Sequence, residues 1–306
     1  MDEKLLHRLW CKLLFPDNSE RLLQILSAFD YDATKLYRAN TEELRALGLS
    51  FTERAKLSDK RLKKAKAEYQ NCINNKIRIL WFSDPDFPGC MRGMSNMPVM
   101  LFARGNLAVL QKPLICVVGP RRVSNIGQAS TDSITKKLIS YGFSIVTGSA
   151  EGVDSIALAN SVCLNMPVVS VLACGMNIDY PRGFISCGMH KNIITGGGLI
   201  LTEYPFGSQP LADHFRIRNG LLSILSQAVI VTEGNTRSGG MITAGFAMQQ
   251  GRDLFVFPGY ASDPNYEGCN RLIYDGATPV TNIDTLAYDL YTQYQDYLPK
   301  QKETTV

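Results

Sequence analysis

Histidine is scarce: three in 306 residues, at 7, 190 and 214. They are far apart and lack metal-ligand spacing, so no histidine-built metal centre is expected. No two of the eight cysteines, at 11, 72, 90, 116, 163, 174, 187 and 269, form a C-x-x-C. That excludes a zinc framework and argues against a disulfide scaffold; most lie in apolar runs and read as reduced, buried thiols of a cytoplasmic protein. No uninterrupted apolar window of about 18 residues occurs, so no membrane span is expected. Met1 is followed by acidic residues rather than a signal-peptide pattern. A formal charge of +4 is too small to establish a nucleic-acid partner by itself. Internal repeats and low-complexity tracts are absent. So are G-x-x-x-x-G-K-[ST], a G-x-G-x-x-G after the first buried strand and a G-x-S-x-G elbow, which disfavours phosphate-loop, dinucleotide and hydrolase chemistry.

What is present begins with leucines at helical spacing. Leu5, Leu6, Leu9, Leu13 and Leu14, then Leu22, Leu23, Ile25 and Leu26, predict a helical region over residues 1–75. "TEELRALGLS" reads as a cap at Thr41, a short helix and a stop at Gly48. Residues 53–76 carry eight Lys/Arg against three Asp/Glu, a local balance of +5. That run reads as a solvated helix face, with an accessory nucleic-acid surface as the sharper alternative.

From about residue 77 the pattern changes. "KIRILWFS" and "MPVMLFARGN" read as strands. After 112, apolar runs at 114–118, 143–147, 167–172, 198–202, 227–232 and 253–257 alternate with helical segments near 127–141, 152–165, 183–193, 217–226 and 240–250. Short buried strands alternating with helices predict an α/β fold: a mostly parallel, Rossmann-like sheet with helices on both faces. The expected organisation is a helical domain at 1–75, the sheet domain at 76–285 and a polar, frayed tail at 286–306.

Ligands of open parallel sheets bind beyond the carboxyl ends of the strands, and three strand-to-helix connections there are glycine-rich. They are Gly119-Pro-Arg-Arg-Val-Ser, "TGSAEGVDS" at 147–155 and "TEGNTRSGGMITAG" at 232–245. Glycine lets a backbone approach a phosphate, and each connection aims a helix N-terminus at the same edge. With Gly119, Arg121, Arg122, Ser124 and Arg237 in or beside them, the three loops point to a polyanion; turn-making alone is the simpler alternative. Residues 203–220 read as a loop in which Tyr204, Phe206, His214 and Phe215 alternate with Arg216 and Arg218, a composition suited to stacked bases and paired phosphates. The alternative is that Tyr204 and Phe215 are core anchors. His190 reads as a helix-surface residue. Asp154, Glu203 and Glu233 are general-base candidates, or simply carboxylates that cap a helix or hold an arginine.

Taken together, "VVGPRRVSNIG", "IVTGSAEGVDSIA", "VVSVLACGMNIDYP", "LILTEYPFGSQP", "HFRIRNGLLSILSQAVIVTEG", "RSGGMITAGFAMQQGRDLFVFPG" and "EGCNRLIYDGA" resemble, in order and spacing, the DNA-processing protein A family, also called Smf. The resemblance covers nearly all of residues 77–281. It implies an extended Rossmann-like sheet preceded by a sterile-alpha-motif-type helical domain. It also implies a homodimeric, cytoplasmic, non-enzymatic protein that binds single-stranded DNA and loads the RecA recombinase onto incoming strands in natural transformation, without metal or cofactor. By position, Arg121 matches an arginine that contacts the DNA backbone. Gly148, Ser149 and Gly152 match the second loop, Arg218 and Asn219 an Arg-Asn pair, and Ser238, Gly239 and Thr243 the third loop.

Three positions depart from the family pattern. Pro120 stands for a serine and removes a hydroxyl and an N–H donor; Glu151 stands for a cation; Gly220 stands where an arginine follows the Arg-Asn pair. Two rival readings remain. The sheet also resembles nucleoside-monophosphate phosphoribohydrolases of the Lonely-guy type, whose P-G-G-x-G-T-x-x-E signature the loop "EGNTRSGGMITAG" lacks. The other rival is a degenerate family member that contacts mainly protein.

Overall fold

The first helices start on side chains that accept the orphan N–H groups of their opening turns. In the computed structural model, which describes residues 2–94 and 97–298, Asp2 caps α1 (Glu3–Leu14), Asn18 caps α2 (Ser19–Ser27) and Asp32 caps α3 (Ala33–Arg38). Capping boxes open the next two: Asn40 with Glu43 at α4 (Thr41–Ala46), Ser50 with Glu53 at α5 (Phe51–Ser58). The cap of α4 is therefore Asn40, one residue before the expected Thr41, whose place is the first helical position. Only α6 (Lys63–Asn74) of these six has no side-chain cap.

The chain divides into two units. The first joins residues 1–104 to segments 174–178 and 202–209. It holds α1–α6 and an antiparallel pair, β1 (Arg78–Trp81) with β2 (Met100–Gly105). Of the predicted apolar stripe, Leu6, Leu9, Leu22, Ile25 and Leu26 are buried, packed with Trp10, Leu36, Leu57 and Trp81. A charged group lies inside this core. Lys12 is fully buried and donates from Nζ to the Pro16 carbonyl (2.7 Å) and to Ser19 Oγ (3.4 Å), while Ser19 Oγ donates to Glu203 Oε2 (3.4 Å). Burial pushes the Lys12 ammonium below the usual lysine range, and the Glu203 charge opposes that shift.

The second unit comprises residues 105–173, 179–201 and 210–306. Its strands are β3 (Leu114–Val118), β4 (Ser144–Thr147), β5 (Val168–Val171), β6 (Leu199–Thr202), β7 (Ala228–Val231), β8 (Asp253–Val256) and β9 (Thr278–Pro279), all parallel, in the order β6-β5-β4-β3-β7-β8-β9. Every residue of β3–β7 is buried, as expected for strands covered on both faces. The helices are α7 (Asn125–Ser140), α8 (Val153–Cys163), α9 (Met189–Thr195), α10 (Ala212–Leu225), α11 (Gly239–Gln249), α12 (Glu267–Tyr274) and α13 (Ile283–Tyr294). In that order β3 lies between β4 and β7: the chain winds outward one way through β4, β5 and β6, then the other way through β7, β8 and β9. The crevice between the carboxyl ends of β3 and β7 is therefore the switch point where such sheets bind ligands.

Several expectations need correction. The stretch 212–220, read as loop, is the start of α10. The helix expected from 183 begins at Met189, because Gly183 and Gly188 adopt φ of 91° and 79°. His190 is buried. Cys90, Cys163 and Cys187 are exposed, while the other five cysteines are buried. Within the expected tail, residues up to 294 complete α13, which packs on α7 through a Lys137–Asp284 ion pair and rings of Tyr141 and Tyr291 5.1 Å apart. Residues 299–306 lie outside the described residues. Among the described residues no helix is long and apolar enough to cross a membrane.

Candidate functional site

The switch-point crevice opens into a cavity of about 570 Å³. Four elements wall it: the loop after β3 (Gly119, Pro120, Arg121, Arg122), the loop into α8 (Ala150, Glu151, Asp154), one face of α10 (Ala212, Phe215, Arg218, Asn219, Leu222) and the loop into α11 (Asn235, Arg237, Ser238, Gly239, Gly240, Ile242, Thr243). The α10 residues fall at i, i+3, i+4 and i+7 from Phe215, one helical face. All belong to the second unit.

Each glycine-rich loop has its own reason for glycine. A Cβ at Gly119 would meet Val153 Cγ2 at 2.5 Å. At Gly152, with φ of 80°, it would fall 2.2 Å from the Pro120 carbonyl oxygen and 2.5 Å from that of Arg121. At Gly148 it would lie 1.2 Å from Nη1 of Arg218. The glycines of the second loop thus admit protein, not phosphate: a carbonyl at Gly152 and a guanidinium at Gly148. Ser149 is buried and shares a 2.6 Å hydrogen bond with Ser170.

Two of the three helix N-termini are occupied from within the chain. At α7 the Glu233 carboxylate accepts from Ser124 N (3.1 Å) and Ser124 Oγ (2.6 Å), and Gly127 leaves room for it, since a Cβ there would sit 1.9 Å from Oε2. Ser124 Oγ in turn accepts from Gly127 N (3.0 Å), so Ser124 is the α7 cap. Burial and the Glu233 charge push the Tyr266 hydroxyl up to about 12. At α8 the Pro120 carbonyl accepts from Val153 N (3.3 Å) and the Asp154 carboxylate from Ala150 N (3.3 Å). The lost donor at Pro120 is thus matched by a carbonyl turned into the protein. At α11 the cap residue Ser238 makes no side-chain cap hydrogen bond.

The arginines divide sharply. Arg121, Arg122 and Arg237 are exposed on the cavity rim, and among the described residues none of them forms an ion pair. Arg218 is only 4% exposed; its Nη1 lies 3.8 Å from Asp154 Oδ2 and donates to the Val171 carbonyl (3.3 Å). Burial pushes the Asp154 carboxyl up and the Arg218 guanidinium down, each opposed by the other's charge. Phe215 links the two sets: the guanidinium of Arg121 is 4.9 Å and that of Arg218 5.7 Å from its ring centroid, and Tyr180 meets it edge-on at 5.3 Å.

Of the sequence-derived site residues, Gly119, Arg121, Arg122, Phe215, Arg218, Asn219, Arg237, Ser238, Gly239 and Thr243 are brought together around the cavity. Ser124, Gly148, Ser149 and Gly152 lie behind it as support, and Arg216 is exposed on α10 away from the lining. Gly220 is buried against Phe246, with a Cβ position 3.5 Å from that ring, so its lack of charge takes nothing from the lining. The three carboxylates weighed as bases are tied: Asp154 to Arg218, Glu233 to Ser124, Glu203 to Ser19. Tyr204 is buried in the first unit. Tyr180 and Ile242 escaped the sequence reading: Tyr180 sits in no glycine-rich loop or charge cluster, and Ile242, though inside the third glycine-rich connection, carries no charge or hydrogen-bonding group to mark it.

Comparison with known proteins agrees with this architecture. The family model for DNA recombination-mediator protein A matches residues 78–291. DNA processing protein DprA of Streptococcus pneumoniae is 35% identical over 199 residues, covering 65% of this chain and 69% of that protein, and its Bacillus subtilis counterpart 32% over 215 residues, covering 70% and 71%. The X-ray structure of the S. pneumoniae protein superposes with a TM-score of 0.73 at 30% identity, covering 86% of this chain and 92% of that one. DNA processing protein A of Helicobacter pylori, described for its single-stranded DNA binding mode, gives 0.64 at 27%, covering 72% and 97%. With a family match over most of its length and a shared parallel-sheet fold, the chain belongs to the DNA recombination-mediator protein A family.

Proposed function

We propose that this protein binds single-stranded DNA along the switch-point cavity and presents it to a RecA-type recombinase, acting as a homodimer in recombination or transformation. The observation that carries the reading is the rim: Arg121, Arg122 and Arg237 surround one cavity, exposed and forming no ion pair among the described residues. Phosphates of a flexible strand meet these cations, and bases stack near Phe215. The family relationship supports a role in DNA processing, and the relatives are named for processing and strand binding rather than for a catalysed reaction. Asp154, Glu203 and Glu233, the carboxylates weighed as general bases, are each tied, which argues against their serving in base release from a nucleoside monophosphate.

Titration of the full-length protein with labelled single and double strands across salt tests the reading. Single-strand affinity should fall steeply with salt, and Arg121→Ala should weaken all sequences alike, because phosphates carry no base information. Absent or salt-insensitive binding overturns it, as does any base release from nucleoside monophosphates.

A further inference from the structure

The basic run at 53–76 is a motif of the sequence that the cavity leaves unexplained, and the first unit sorts its charges. Its three carboxylates are all engaged. Glu53 accepts from Arg21 Nε (2.7 Å) and Asp59 from Arg61 Nη2 (2.7 Å), while Glu68 is buried and accepts from Phe206 N (3.0 Å). Three cations are engaged too: Arg61 with Asp59, Arg54 with the Leu49 carbonyl, and Lys60 5.0 Å from the centroid of the Trp10 ring. Lys63, Lys64 and Lys66 stand apart: each is exposed on α6, and among the described residues none of them forms an ion pair. Ala65, Glu68 and Cys72 are the buried side of α6, so Lys63, Lys66, Gln70 and Asn74, at i, i+3, i+7 and i+11, line the outward side, with Lys64 and Ala67 beside them. Over the 12 residues of α6, about 18 Å of rise, no exposed position holds a carboxylate or an aromatic ring. The lysines gather in the opening turn, where they repel one another and oppose the positive end of the helix dipole. A solvated face has no need of that arrangement; a polyanion laid along it relieves both repulsions.

We infer that the outward face of α6 is a nucleic-acid surface in its own right, which takes the phosphate backbone of a duplex on Lys63, Lys64 and Lys66 whatever the base sequence. A lysine ammonium meets a phosphate as a point charge, and that contact carries no base information. Duplex rather than single strand is the occupant because the face has no exposed ring on which an unpaired base could stack. A duplex, its bases already stacked on one another, needs none. The surface lies within the first unit and does not depend on the single-strand reading of the cavity.

The test uses the full chain and a short blunt duplex, titrated across salt by fluorescence anisotropy. Each lysine that meets a duplex phosphate contributes about 0.9 to the log K against log salt slope, so Lys63→Gln, Lys64→Gln and Lys66→Gln together should flatten it by about 2.7. Ala67→Glu places a carboxylate at i+4 from Lys63 and i+3 from Lys64, where it pairs with them along the helix; it should weaken duplex binding and flatten the slope without unsettling α6. It decides the matter should the triple variant not fold. Neutralising the rim instead, with Arg121→Gln, Arg122→Gln and Arg237→Gln, should leave the duplex slope in place. A duplex slope that both α6 variants leave unchanged overturns the inference, and flattening by the rim variant then places the duplex in the cavity. So does a wild-type protein that does not bind duplex, whatever it does with single strands. An α6 variant that loses vesicles of phosphatidylserine while keeping the duplex makes the strip a lipid surface and overturns the inference as well. A wild-type protein that binds duplex through α6 but binds no single strand upholds the inference and overturns the single-strand reading of the cavity.

Discussion

Replacing Glu151 by lysine should tighten single-strand binding. Glu151 is exposed on the cavity rim, and the next residue, Gly152, packs its backbone against the carbonyls of Pro120 and Arg121. The carboxylate therefore stands beside the loop that carries two of the three rim arginines. A strand lying on those arginines passes a negative charge at 151. One added cation that neutralises one single-strand phosphate steepens the log K against log salt slope by about 0.7. Since this contribution vanishes near 1 M salt, at 0.1 M it amounts to about 0.7 log units, roughly fivefold or about 1 kcal/mol. Glu151→Gln, which removes the repulsion without adding a cation, should gain less. Fluorescence anisotropy of a labelled single strand from about 0.05 to 0.5 M salt reads both affinity and slope. Glu20→Lys makes the same charge change at an exposed position of α2, in the first unit, and controls for net charge. If Glu151→Lys binds no tighter at 0.1 M than the Glu20→Lys control, with an unchanged slope, the strand does not run past the α8 loop and the placement of the track is wrong.

Three further outcomes follow from the packing. Gly148→Ala should destabilise the second unit by about 3–5 kcal/mol in urea unfolding, because the new Cβ, 1.2 Å from Arg218 Nη1, drives the guanidinium out and leaves Asp154 buried and unpaired. Lys12→Met should cost a similar amount, while Lys12→Met with Glu203→Gln should recover most of it, since Lys12 and Glu203 are both buried and neither tolerates losing the other. The Glu53 carboxyl is held down at about 2 by Arg21, 2.7 Å away, and by Ser50 N. Because that is below its ordinary value, its contribution is present above about pH 4.5 and is lost as pH falls toward 2; with Arg21 33% exposed, solvent screening limits it to about 1 kcal/mol, and Glu53→Gln should flatten that part of the acid unfolding curve.

The alternation of short apolar runs with helical segments located β3–β7 to within a residue or so, because strands buried on both faces have little freedom in composition. The start of α10 was hidden for a definite reason: its cap position is Leu211, which makes no side-chain cap bond, so no Ser, Thr, Asp or Asn announced it. Missing that start concealed that Phe215, Arg218, Asn219 and Leu222 share one face. The glycine-rich loops were legible as a shared edge, but whether each glycine admitted a ligand or the protein's own atoms was not. Gly148 and Gly127 look alike in sequence; one accommodates Arg218 and the other Glu233, partners 70 and 106 residues away in the chain. Burial of His190 was equally out of reach of local pattern, since a single polar residue on a short helix carries no periodicity.

Glu233 has a consequence for what this fold accepts. It sits at the N-terminus of the helix that follows β3, the place where a doubly wound sheet ordinarily offers its backbone amides to a phosphate. A carboxylate fixed there by the chain is a tethered competitor, present at an effective concentration that no free nucleotide matches. Any anion seeking that seat must displace an intramolecular rival already bonded to Ser124 through both N and Oγ. On the proposed reading, recognition would shift from backbone amides at one fixed point to the exposed arginine side chains along the cavity rim, an arrangement that suits a continuous polymer better than a single small phosphate.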